Sequence, residues 1–193
     1  MAEYKAFEPN IEAGGNEIPI VALGSLAQSK KQEIIKKYNL KTEEGAWNDL
    51  QSLLHAMREV SQLIGEMNLF LIGKEVVEAT AFPPIDGLEN ALRSIDVAYH
   101  MNHRKNGKLM FDPTTGQMQE GIGHYQVIGF DATAKKAAMK CHTPYPSKFE
   151  EGLILQITRK FKPQGSLIPK VELDETKETR RNGGESCTFN ISW

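Results

Sequence analysis

The sequence predicts an α+β fold, an antiparallel sheet of about four to five strands covered by a layer of helices. Three observations predict it. Apolar residues recur at helical spacing between capping signals through residue 103. After Asn106-Gly107 the chain turns to short alternating runs separated by turn residues. One further capped helix, over residues 147–161, then interrupts the strands.

Residues 1–18 are polar with Gly14-Gly15 and read as a flexible N-terminal arm, leaving residues 19–193 as a single domain. Ile18 to Leu23 is a short apolar run that feeds a helix from about Leu26 to Tyr38, with Ile34 and Ile35 inward and Asn39 as its stop. Thr42 is placed to cap a long helix over about 43–69, with Glu43 and Glu44 suited to its positive end. Trp47, Leu50, Leu54, Met57, Ile64 and Met67 form its stripe, widened by Leu53, Val60 and Leu63. Gly73 is expected to break or bend the chain before Glu75–Thr80.

Phe82-Pro83-Pro84 is a stop. Asp86 and Glu89 read as a capping box for a helix running to about His103, with Leu88, Ala91, Leu92, Ile95 and Ala98 or Tyr99 inward. Asn106-Gly107 turns the chain into a strand over 108–111, and Asp112-Pro113-Thr114-Thr115-Gly116 turns it again. The next strand, 123–130, sets Tyr125 and Val127 on one face and Ile128 and Phe130 on the other. Asp131-Ala132-Thr133 links it to a strand over 134–142. Ser147 and Glu150 form a second capping box, and Phe149, Leu153, Ile157 and Phe161 share one helical face. A strand near 167–173, a charged loop over 174–182 and a last strand follow, with Cys187, Phe189, Ile191 and Trp193 inward.

A chain of 193 residues with 40% apolar and 25% charged content has material for one core. Its net charge of −2 gives nothing to steer it toward nucleic acid or an anionic membrane. The first residues lack an apolar signal region, no apolar run reaches membrane-spanning length, and Cys141 and Cys187 make no disulfide framework. The expectation is a cytoplasmic protein.

Motifs for chemistry are sparse. There is no P-loop, Gly-x-Gly-x-x-Gly, Gly-x-Ser-x-Gly or His-Glu-x-x-His, so no catalytic residue is named. His100-x-x-His103 is the best metal candidate, since two histidines three apart share a helix face. The spacing supplies no third ligand, and histidines near a helix C-terminus are expected for the dipole alone. Trp47, Met57, Met67, Tyr99, Tyr125, Met139, Tyr145 and Phe149, with Phe70 and Met101, supply bulky, adaptable walls for an apolar pocket; as a bare core they would look the same.

The C-terminal third carries a resemblance. Pro144-Tyr145-Pro146, Phe149 and Glu151-Gly152-Leu153-Ile154, with the ending Gly183-Gly184-Glu185-Ser186-Cys187-Thr188-Phe189-Asn190-Ile191-Ser192-Trp193, resemble the last helix and closing strand of the 4-vinyl reductase domain family. Its superfamily includes haem nitric-oxide-binding sensors and the transport protein particle subunits of Golgi traffic. The resemblance implies a sensor or scaffold domain, often dimeric, that encloses a small apolar ligand. Family members often carry a cysteine where Thr179 stands, so Cys187 lacks a second sulfur here. The haem sensors use Tyr-x-Ser-x-Arg; Tyr145-Pro146-Ser147-Lys148-Phe149 has a phenylalanine in place of that arginine.

The reading is therefore a non-enzymatic sensory or small-molecule-binding domain for an aromatic or tetrapyrrole-like ligand. It would act as a homodimer signalling to a separate output protein, with no nucleic acid or membrane span involved. No cofactor is named. The alternative is a dimeric scaffold like the transport particle subunits.

Overall fold

The computed structural model describes residues 3–14, 26–43 and 45–193. It is α+β, with five helices packed against two four-stranded antiparallel sheets, where the sequence suggests one sheet. The first sheet has the order β2 (Trp47–Asp49), β1 (Ile11–Gly14), β3 (His103–Lys105), β4 (Lys108–Leu109). The second has the order β5 (His124–Asp131), β6 (Lys136–His142), β8 (Cys187–Ser192), β7 (Lys170–Leu173). The helices are α1 (Gln28–Lys37), α2 (Leu50–Ile64), α3 (Met67–Ala79), α4 (Gly87–Met101) and α5 (Ser147–Phe161). Among the described residues, no helix is long and apolar enough to cross a membrane.

The segment read as an arm contains β1, which pairs with β2 on one side and β3 on the other. The apolar run 18–23 and Glu44 lie outside the described residues. α1 buries Ile34 as expected and forms a small satellite core with Leu40, Ala56 and Val60.

The long helix expected over 43–69 is two helices. Residues 47–49 pair as β2, so Thr42 caps nothing; Asp49 is the cap and accepts from the Ser52 amide at 2.8 Å. Gly65, at φ 88°, ends α2 in a backbone region that a side chain disfavours, and α3 starts two residues on. That break turns the end of the predicted stripe outward: Met67 is 60% exposed, and Leu63, Ile64 and Leu71 are exposed beside it.

Gly73 does not break the chain; it sits inside α3. A Cβ there would overlap the Phe149 carbonyl oxygen, and a Cβ at Gly152 would overlap the carbonyl oxygen of Phe70. α3 and α5 therefore cross backbone to backbone at these two glycines.

Two of the expected capping boxes are something else. Asp86 precedes α4 in extended conformation without a side-chain cap bond, and Glu89 binds Arg93 instead. Ser147 lies inside α5, where its hydroxyl accepts from Arg181 Nε at 2.8 Å. Glu150 is fully buried and paired with the fully buried Arg180, whose Nη1 also donates to the Cys141 carbonyl at 2.8 Å. Burial pushes the Glu150 carboxyl up, against the pull of the guanidinium beside it.

Asn106 and Gly107, both at positive φ, form the two-residue hairpin between β3 and β4. The β5–β6 ladder slips at Val127/Gly129. That bulge leaves Ile128 exposed and brings Phe130 to the same face as Tyr125 and Val127, where it stacks on Trp193 at 5.2 Å. The strand expected over 167–173 starts only at Lys170, with Leu167 and Ile168 exposed. Phe189, Ile191 and Trp193 are buried in the main core, as the alternation requires.

The crossing gives a sharp expectation. Gly→Ala normally favours a helix, yet Gly152→Ala should destabilise the protein by roughly 1–3 kcal/mol through overpacking. A lowered urea midpoint at unchanged slope is the expected result; a raised midpoint would show that the helices are not in contact there.

Candidate functional site

A cavity of ≈ 110 Å³ lies where α3, α4 and α5 meet the two sheets. Val76, Val77, Leu153 and Ile157 come from the crossing helices; Ser94, Ile95, Ala98 and Tyr99 come from α4. Tyr125 of β5, His103 of β3, Phe82, Tyr145 and Phe149 form much of the rest, and Gly14, Thr80 and Asn102 also line it. The aromatic side forms one contact chain. Tyr99 meets Tyr125 edge-on at 5.2 Å, and Tyr145 stacks on Phe149 at 5.3 Å.

Most polar side chains of this wall are bonded within the protein, Thr80, Ser94 and Asn102 to helix carbonyls, while the Tyr125 hydroxyl has no hydrogen-bond partner among the described residues. Tyr99 donates its hydroxyl to the Ile122 carbonyl at 2.7 Å. His103 Nδ1 lies 2.7 Å from the Tyr99 carbonyl, which accepts only, so Nδ1 carries the proton. His103 Nε2 is then the acceptor for the Tyr145 hydroxyl at 3.0 Å. Burial raises the phenols of Tyr99, Tyr125 and Tyr145, keeping them protonated. The cavity is therefore walled mainly by rings and aliphatic carbons, with the Tyr125 hydroxyl as an unpaired polar group.

Of the eight pocket candidates, the structure brings Tyr99, Tyr125, Tyr145 and Phe149 together at this cavity. Met57 and Met139 are fully buried in the core away from its wall. Trp47 lies on β2 with its ring against Gly14 and the Arg104 guanidinium 4.5 Å above it. Met67 is at the surface, as is Met101. His103, Val76, Ser94 and Ala98 are wall residues that the sequence reading missed. α4 contributes Ser94, Ala98 and Tyr99 at helical spacing, and only the small residues on that face hint at a hollow.

His100 and His103 diverge, because α4 ends at Met101 and His103 begins a strand. His103 faces the cavity; His100 packs on the other side against His124, with ring centroids 4.8 Å apart. The pair does not hold one metal between its members.

No protein-family model matches the sequence, and no curated protein matches it. Solved structures do. An H-NOX protein from S. oneidensis in the Fe(II)NO ligation state is 14% identical with a TM-score of 0.58, covering 92% of this chain and 97% of its own. The Fe(II) unliganded H-NOX protein from K. algicida is 16% identical with a TM-score of 0.58, covering 92% and 95%. A mutant of the T. Tengcongensis H-NOX is 13% identical with a TM-score of 0.55, covering 91% and 92%. The chain has an H-NOX-like fold.

Haem, which such relatives imply, does not fit these residues. The cavity is several-fold smaller than the roughly 300–1,000 Å³ of ordinary ligand pockets. His103, the histidine on its wall among the described residues, has both ring nitrogens in hydrogen bonds. Phe149 fills the position where the haem sensors' signature has arginine, and Ser147 is held by Arg181.

His103 carries a pH signature. Burial lowers it from 6.5 to about 4, against a smaller upward pull from the Tyr99 carbonyl. The unfolded chain takes a proton near pH 6.5 that the folded chain refuses until about 4. Its contribution to stability is thus present above pH 6.5 and is lost as pH falls toward 4, on the order of 3 kcal/mol in all. In urea titrations across that window, His103→Gln should flatten the acid-side decline relative to the parent; parallel declines would refute the assignment.

Proposed function

We propose that the protein is a non-catalytic sensory or small-molecule-binding domain that encloses a small, flat apolar ligand in the α3–α4–α5 cavity. The observation that supports this most is the internal pairing of the wall's polar groups. Tyr99, His103 and Tyr145 satisfy one another and the backbone, leaving a mainly apolar surface on which the Tyr125 hydroxyl alone of the four is unpaired. Groups so engaged, with His103 held neutral and the phenols protonated, are poor acids, bases or nucleophiles at neutral pH. Apolar cavities of about 150 Å³ stay dry and take up benzene, so ≈ 110 Å³ suits a single aromatic ring or a small alkane. Of the two ligand classes expected from the sequence, the size favours the simple aromatic over the tetrapyrrole. The H-NOX-like fold supports a sensory role, and the kinship with 4-vinyl reductase domains rests on the C-terminal motifs. Ligand uptake would change the packing of α4 against α5, and the signal would pass to a separate output protein.

The dimeric scaffold is the second reading. Leu63, Ile64, Met67 and Leu71, exposed together where α2 meets α3, favour a self-association face covered by a second copy. Light scattering decides it: a parent dimer that Met67→Lys converts to monomer supports the scaffold, and a monomeric parent rejects it.

The ligand reading is tested with benzene, toluene and indole by calorimetry and native mass spectrometry. One molecule per chain is expected, together with a raised melting temperature. Ala98→Phe should abolish uptake by filling the hollow while the protein stays folded. Equal binding by the parent and Ala98→Phe, or none by the parent, would overturn the reading.

A further inference from the structure

A second site lies on the far side of α4 from the cavity. Asp96 and His100, one turn apart on α4, meet His124 at the start of β5, and each brings one donor atom within 4.8 Å of the other two. None of the three lines the cavity.

Their hydrogen bonds sort the atoms of each residue. His100 is fully buried; its Nδ1 lies 2.8 Å from the Asp96 carbonyl, so Nδ1 carries the proton and Nε2 keeps a bare lone pair. That Nε2 is buried without a hydrogen-bond partner. An imidazole nitrogen so placed forgoes its hydration for nothing, unless something else occupies its lone pair. His124 Nε2 points to the Glu120 carboxylate at 3.4 Å, which leaves Nδ1 facing Asp96 Oδ2 at 2.9 Å. Asp96 Oδ1 is taken by the Tyr125 amide at 2.9 Å. Each residue is thus held by one outer partner; His100 Nε2 is left unpartnered, while His124 Nδ1 and Asp96 Oδ2 bond to each other. A carbonyl or carboxylate on the far nitrogen is the outer arrangement that fixes metal-binding histidines.

We propose that Asp96, His100 and His124 form a divalent transition-metal site, with Zn²⁺ the ion that fits its chemistry. Two imidazoles and one carboxylate are a zinc donor set, and three protein ligands leave a fourth position for water or an external ligand. His124 and Asp96 are partly exposed while His100 is not, so the ion enters from the Glu120 side. Binding displaces any proton shared by His124 Nδ1 and Asp96 Oδ2 and releases it to solvent. Tyr125 touches both sites, since its amide holds Asp96 and its ring lines the cavity.

The test uses the full chain stripped with a chelator, then titrated with Zn²⁺ against a chromophoric competitor. One equivalent is expected, with a raised melting temperature, and Co²⁺ in its place should give visible absorption of a low-symmetry four-coordinate site. His124→Ala and Asp96→Asn should each lose stoichiometric binding. Glu120→Gln, an 86%-exposed position that leaves the fold alone, should weaken affinity by roughly 10–100-fold as an outer-partner change. His55→Ala, at a separate exposed histidine, should bind as the parent does. No stoichiometric binding by the parent overturns the site, as does Zn²⁺ binding that survives in His124→Ala and Glu120→Gln unchanged. Either result leaves aromatic uptake by the cavity untouched.

Discussion

The contact on which the rest of the structure depends is the crossing of α3 and α5 at Gly73 and Gly152. Each glycine seats the carbonyl region of the opposing helix, Phe149 on one side and Phe70 on the other. With the backbones this close, the side chains flanking the crossing must splay. Val76 and Val77 of α3 and Leu153 and Ile157 of α5, on the same two helices, line the cavity. It is closed from the far side by α4, whose small Ser94 and Ala98 face it.

The second constraint is the buried pair of Glu150 and Arg180. Burying two charges costs several kcal/mol per ion unless geometry and further hydrogen bonds offset it. Here Thr143 donates to Glu150 at 2.5 Å and Cys141 accepts from Arg180, so the pair ties α5 to the end of β6 and to the turn before β8. The pair thus anchors the first turn of α5, where Phe149 enters the cavity wall.

The last strand was legible because its alternation matches a half-buried sheet, and Phe189 and Trp193 went where it placed them. α5 was legible through its apolar face and through the proline after Lys162. What failed was local chemistry with two meanings. Thr42 and Ser147 look like caps in sequence, yet one precedes a strand and the other accepts from Arg181 across the fold. Gly65 and Gly73 are the same letter; only a positive φ at the first and a neighbouring carbonyl at the second separate a helix break from a helix contact. Four cavity residues were in the aromatic set, but Met67 was placed inward on a helix phase that Gly65 resets. His124 was invisible as a partner for His100, because nothing in the spacing says that β5 begins against α4. Asp96, which joins them, reads in sequence as an ordinary solvated residue.

The position of β8 in its sheet has a kinetic consequence. β6 and β7 are separated by the strand that comes after both, so neither can complete its ladder until Cys187–Ser192 inserts. Until then β6 shows an open edge backed by Ala137, Met139 and Cys141, all apolar and inward. Contacts of such sequence separation form late and slowly. The nascent protein should therefore pass through an interval in which that bare strand can be captured by a neighbouring molecule, and chaperone dependence during synthesis would follow from topology alone.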